Sequence, residues 1–127
     1  MSDREIRAFA PELHAIIEAA LEGAAEKLAR EPVVLDLREL VDSFDALIVT
    51  SGGTDRQVRA IAEEIEESVT RATGIRPLRV EGMREGEWVA LDYGDLIVHV
   101  FDDAAREYYD LEHLWRAAPA RRVEVRR

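Results

Sequence analysis

"EWVALDYGDLIVHVF", residues 87–101, decides the fold. Two runs of alternating apolar residues flank a Tyr-Gly-Asp centre, the pattern of two antiparallel strands joined by a tight turn. Side chains alternate across a strand, so Trp88, Ala90 and Asp92 share one face while Val89, Leu91 and Tyr93 share the other. A two-residue turn at 93–94 or at 94–95 pairs even positions with odd ones. Either register sets Ile97, His99 and Phe101 beside Trp88, and Leu96, Val98 and Val100 beside Val89. The second face is nearly all aliphatic and is core. The first mixes Trp, His and Asp with Ile and Phe, and two readings of it stand: a face roofed by a helix, or a face completed by another protein.

Working outward, "VVLDLREL" (33–40) and "FDALIVTS" (44–51) read as two more strands, the second apolar enough to be central in its sheet. "RPLRVEG" (76–82) reads as a short strand, followed by a loop containing Gly82 and Gly86. Helical periodicity marks the rest. From about Pro11 to about Arg30, Leu13, Ile16, Ile17, Ala20, Leu21, Ala24 and Leu28 recur on one face, with Pro32 ending the helix. After "SGGT", Val58, Ile61, Ala62, Ile65, Val69 and Ala72 form a second stripe opposite an acidic side of Glu63, Glu64, Glu66 and Glu67. Thr54 and Gln57 make a capping box at its start and Gly74 closes it. "DDAAREYYDLEHLW" (102–115) is the last helix, capped by Asp102 or Asp103. The order helix, two strands, helix, three strands, helix gives an α/β fold, a mixed sheet flanked by helices. Residues 1–118 form a single domain and 119–127 an Arg-rich C-terminal tail.

The chain has 127 residues, enough for one core, and a net charge of -10. That charge argues against broad adhesion to nucleic acid, which needs clustered Lys and Arg, and makes a basic partner the natural expectation. Arg121, Arg122, Arg126 and Arg127 stand against Glu124 alone in the tail, which reads as a solvated end or as an arm touching phosphates. Cysteine is absent, so disulfides, thiolate metal sites and cysteine nucleophiles are excluded together. No run is apolar enough to span a membrane, and the N-terminus lacks the order of a signal peptide, which leads to a cytoplasmic expectation.

Candidate chemistry is sparse. "TSGGTDRQ" (50–57) could hold an anion on the first amides of the following helix, but no Lys follows the glycines as in a Walker loop. The other reading is a strand-to-helix turn and cap. Asp92 and Asp95 are three apart across a turn, a poor arrangement for holding two metal ions, and Asp102 and Asp103 read as helix caps. His14, His99 and His113 have no partner at ligand spacing, and no Ser sits in a nucleophile elbow. The expectation is therefore no catalytic residue, no metal and no cofactor. A nucleotide-binding or nucleotidyltransferase-type enzyme using the SGGT loop is the alternative.

"FDALIVTSGGTDRQVRAIAEEI", then "PLRVEG", then "EWVALDYGDLIVHVFDDAAREYYDLEHLW" closely resembles the ribosomal silencing factor family, also called RsfS or Iojap-like, over roughly residues 13–115. The resemblance implies a nucleotidyltransferase-like fold without its catalytic carboxylates. It implies a translation repressor that binds the large ribosomal subunit through ribosomal large-subunit protein fourteen and sterically blocks joining of the small subunit when nutrients are scarce. The tryptophan of the family's "DW" or "EW" position is Trp88 here, carried over as a main partner contact. Asp92, Tyr93 and Asp95 around the turn, with His99, complete the expected partner-binding set. The Arg-rich end lies outside the shared core and could add a minor ribosomal RNA contact. The hairpin face could also join two free copies into a homodimer.

Overall fold

The computed structural model describes residues 5–124. Its elements are α1 (Pro11–Glu26), β1 (Arg30–Asp36), β2 (Ala46–Gly52), α2 (Asp55–Thr73), β3 (Arg79–Glu81), β4 (Trp88–Asp92), β5 (Leu96–Asp102), α3 (Asp103–Tyr109), α4 (Leu111–Leu114) and β6 (Ala120–Arg122). The strands form one six-stranded sheet in the order β3-β4-β5-β2-β1-β6. β2 and β5 run parallel and every other pair antiparallel, so the sheet is mixed. All seven residues of β2 are buried, as befits an apolar strand with neighbours on both edges and cover on both faces.

One face of the sheet carries Val34, Ile48, Val89, Leu91, Leu96, Val98 and Val100 against α1 and α2. The stripe of α2 supplies Val58, Ile61, Ile65 and Val69, each fully buried, and each such side chain contributes about 1.5–3 kcal/mol. Ala72, expected on that stripe, is exposed. The two helices cross at Gly23, where a Cβ would sit 2.8 Å from the Ile65 Cα, so only glycine lets the backbones approach this closely. The other face carries Val33, Leu35, Leu47, Val49 and Phe101, covered by Ala105, Leu111, Trp115 and Ala118 from the C-terminal segment and by Val41 and Phe44 from the loop after β1.

Three boundaries differ from the sequence reading. α1 ends at Glu26, because Leu28 adopts a positive φ of 56° and its side chain is 63% exposed instead of joining the buried stripe. β1 then starts at Arg30, and Pro32 lies within it at a register shift between Arg30 and Val33, a place where a strand tolerates a missing N–H. The last helix is two short ones, α3 and α4, because Asp110 takes a left-handed conformation (φ 48°) between them. Residues 120–122, expected in a tail, form β6 and pair with Val33–Leu35 of β1. Arg121 bonds Glu18 at 2.6 Å and Arg122 lies 3.7 Å from Glu112, so these two arginines are held against the domain. Arg126 and Arg127 lie outside the described residues.

Candidate functional site: an aromatic face on the hairpin

β4 and β5 pair Trp88 with Phe101, Ala90 with His99 and Asp92 with Ile97, the face expected from alternation. The Tyr93 amide donates to the Leu96 carbonyl at 2.8 Å, which places the two-residue turn at Gly94–Asp95. Gly82 sets the start of β4. It has a φ of +90°, and a Cβ there would collide with the Trp88 carbonyl oxygen, so the chain reaches Trp88 by a path only glycine allows.

Trp88 is half-buried and enclosed by rings. Its centroid lies 4.9 Å from Phe101, 4.6 Å from Tyr109 and 5.7 Å from His99. The indole Nε1–H donates to Nδ1 of His99 at 2.9 Å, so the ring orientation is fixed by a directional bond as well as by stacking. That bond requires a lone pair on Nδ1 and hence a neutral imidazole. Burial favours the neutral form, pulling the His99 pKa down from 6.5 to about 4. His99 thus positions Trp88.

Tyr109 and Tyr108 extend the cluster outward. Tyr108 meets Tyr109 edge-on at 5.1 Å and is 82% exposed, while Tyr109 is 44% exposed. They sit on α3, whose start is set by the Asp102 carboxylate accepting from the Ala105 amide at 2.7 Å. Sequence reasoning assigned this helix without singling out its tyrosines. The signal was present in "REYYDLEHLW", where adjacent aromatics on a short helix cannot both face inward.

The remaining expected residues fall in different places. Asp92 bonds the Gly94 amide at 2.8 Å and lies 3.9 Å from the Arg79 guanidinium, so it builds the turn. Asp95 is exposed at the tip. Tyr93 is 9% exposed and packs into the helix-covered core, away from Trp88, and its hydroxyl finds no hydrogen-bond partner among the described residues. Desolvation raises its pKa, with the nearby Glu66 charge adding to the effect. The structure thus gathers Trp88 and His99 with Phe101, Tyr108 and Tyr109, and sets Tyr93 apart.

The SGGT loop is occupied by its own contacts. Thr54 Oγ accepts from the Gln57 amide at 3.1 Å, and the Gln57 side chain accepts from the Gly53 amide at 2.8 Å, one residue earlier than a regular capping box. The Arg56 amide donates to the Asp55 carboxylate at 2.8 Å and the Val58 amide to the Thr54 carbonyl at 2.9 Å. Arg30, beside Gly53, is paired with Asp103. Arg106 donates to the Arg30 and Glu31 carbonyls, Ser51 Oγ and Glu112, stapling α3 to β1 and β2. The local chemistry is that of a strand-to-helix turn. Among the described residues, no three His, Asp or Glu side chains are grouped to hold a metal ion, and no helix is long and apolar enough to cross a membrane.

The fold is thus a mixed α/β domain that carries an aromatic cluster, locked around Trp88, beside the exposed Tyr108 and Tyr109. Comparison with known proteins gives it a family. The model of the family described as "Ribosomal silencing factor during starvation" matches residues 10–127, and the chain belongs to that family. The match runs through the Arg-rich end, so that end does not lie outside the family's shared region as expected. The chain is similar to the ribosomal silencing factor RsfS of Bacillus subtilis, 38% identical over 104 residues that cover 82% of this chain and 87% of that protein. The RsfS of Halalkalibacterium halodurans is 35% identical over 109 residues, covering 86% and 92% respectively. A crystal structure of a Chromobacterium violaceum protein superposes with a TM-score of 0.78 at 36% identity, over 81% of this chain and 85% of that one.

Proposed function

We propose that this chain lowers protein synthesis under nutrient limitation by binding the large ribosomal subunit through ribosomal large-subunit protein fourteen and standing in the way of the small subunit. Membership of the ribosomal silencing factor family supports a role in translation repression. The observation that carries the docking is the aromatic face: Trp88 held by His99 and flanked by the exposed Tyr108 and Tyr109. Large side chains frozen in place bind at low entropic cost, and Trp and Tyr are the residues that dominate interface energetics.

In this reading Trp88 is the anchor, His99 its positioning residue, and Tyr108 and Tyr109 the contact rim. Asp95 at the exposed tip meets a basic side chain of the partner, while Asp92 and Tyr93 shape the hairpin without touching it. The charge of -10 speeds encounter with a basic ribosomal protein. The internally bonded SGGT loop gives the nucleotide-binding alternative no support.

Calorimetric titration of the purified ribosomal protein into this one tests the docking. Trp88→Ala should weaken binding upward of about tenfold, equivalent to losing an anchor of ~1.4 kcal/mol or more. Unchanged affinity in Trp88→Ala would remove the anchor from the account.

A further inference from the structure

The helix layer, on the face of the sheet opposite Trp88, offers a second place for a ligand. The end of α1 and the second half of α2 border an open cleft of about 870 Å³, lined by Glu22, Ala25, Glu26 and Lys27 on one side and by Glu64, Ser68 and Arg71 on the other. Glu64 pairs with Arg71 at 3.2 Å. Glu22 and Glu26 are exposed, one helical turn apart, and neither forms an ion pair among the described residues. Their like charges repel, and they stand where the helix dipole favours cations, at the end of a helix with no basic residue in its last turn.

Ser68 adds an unanswered polar group. It is 7% exposed and packs at the helix crossing, where a Cβ on Gly23 would lie 3.0 Å from its own Cβ. Its hydroxyl bonds no group among the described residues and, unlike that of Tyr93, is not sealed in the core, so it is open to the cleft. The carboxylates here are not grouped to converge on one metal ion, which points to a cation whose charges are spread along a chain. We propose that the cleft binds an aliphatic polyamine. Ammonium groups joined by a propyl or butyl spacer match the ~5–6 Å between side chains one helical turn apart, so one meets Glu22 and the next Glu26. One of them also donates to the Ser68 hydroxyl, and the methylenes lie over Ala25 and the stem of Arg71. Lys27 opposes the ligand and the carboxylates of α1 are exposed, so binding is modest, with a Kd of about 0.1–1 mM at low salt. The proposal is independent of the ribosomal one.

Titration of the full chain with spermidine in about 20 mM salt, followed by amide NMR shifts that also report folding of each variant, tests it. The amides of residues 22–27 and 64–71 should shift saturably, and magnesium chloride at matched ionic strength should not reproduce the pattern. Glu22→Gln and Glu26→Gln should each raise Kd about two- to fivefold. Ser68→Ala, which leaves the charge unchanged, should raise it about threefold. Glu107→Gln removes the same charge from α3, on the other face of the sheet, and should bind as wild type does. A lysine trimer should bind more weakly than spermidine, because its ammonium groups sit on separate side chains that must each be ordered. No saturable shift, the same pattern with magnesium, equal weakening in Glu107→Gln, full affinity in Ser68→Ala, or tighter binding of the lysine trimer would each overturn the proposal.

Discussion

Replacing His99 with glutamine tests whether this imidazole is kept neutral to hold Trp88. Folded His99 titrates at about 4 because burial penalises its charged form, against 6.5 when exposed. Between those values the unfolded chain binds a proton that the folded one refuses. The contribution of His99 to stability is therefore flat above pH ~6.5, falls as pH drops through the window from ~6.5 to ~4, and levels off below it. A depression of about 2.5 units corresponds to about 3 kcal/mol, a ceiling because the ring keeps some contact with solvent. Protonation would also turn Nδ1 into a donor facing the Trp88 N–H, breaking the 2.9 Å bond. Urea unfolding at about pH 7.5 and about pH 4 measures the loss in wild type and in His99→Gln, whose amide oxygen can still accept but does not titrate. Two other groups affect the acid limb: Asp36, desolvated yet held low by Arg38, and Glu18, held low by its hydrogen bond to Arg121. Both are present in the two proteins and cancel. Wild type should lose about 2–3 kcal/mol more than the variant across this range. Equal losses would refute a neutral, positioning His99.

Further outcomes follow from particular contacts. Tyr93→Phe removes a hydroxyl that bonds nothing among the described residues, so unfolding free energy should stay level or rise by about 1 kcal/mol, with partner affinity unchanged in the same titration. Arg106→Met strips the Arg30 and Glu31 carbonyls, Ser51 and Glu112 of a shared donor, and denaturant unfolding should show a loss of about 2–3 kcal/mol. Gly23→Ala forces a methyl against the Ile65 backbone at 2.8 Å, and should lower stability by about 1–3 kcal/mol and the thermal midpoint with it.

The parts of this fold legible in sequence were those governed by local periodicity. Alternation in 87–101 assigned both hairpin faces, since a shift of register by two residues leaves each side chain on its face. The α2 boundaries followed from Thr54 and Gly74, whose capping roles depend only on neighbouring backbone. The errors lie where tertiary contacts override such rules. Leu28 fits the helical stripe by spacing, but the chain turns at that residue to bring Ala29 into the core and Arg30 beside Ser51. "DDAAREYYDLEHLW" is periodic throughout, yet it breaks at Asp110, a residue type that tolerates the left-handed region. β6 is three residues of an Arg-rich run with no strand pattern, recruited by β1 and by the Glu18 and Glu112 carboxylates. At the candidate site, Trp88 and His99 could be placed on one face by alternation, but their bond could not. Tyr109 packs on Trp88 from an element distant in sequence, and no spacing rule reports that.

Whether this protein keeps the two ribosomal subunits apart is read from a subunit-joining experiment. Purified large subunits are incubated with this protein, small subunits are added, and joined ribosomes are separated from free subunits on a sucrose gradient. The wild-type protein should comigrate with large subunits and suppress the joined peak, while Trp88→Ala should need upward of about tenfold more protein to do either. Joined ribosomes forming undiminished over saturating wild-type protein would contradict it.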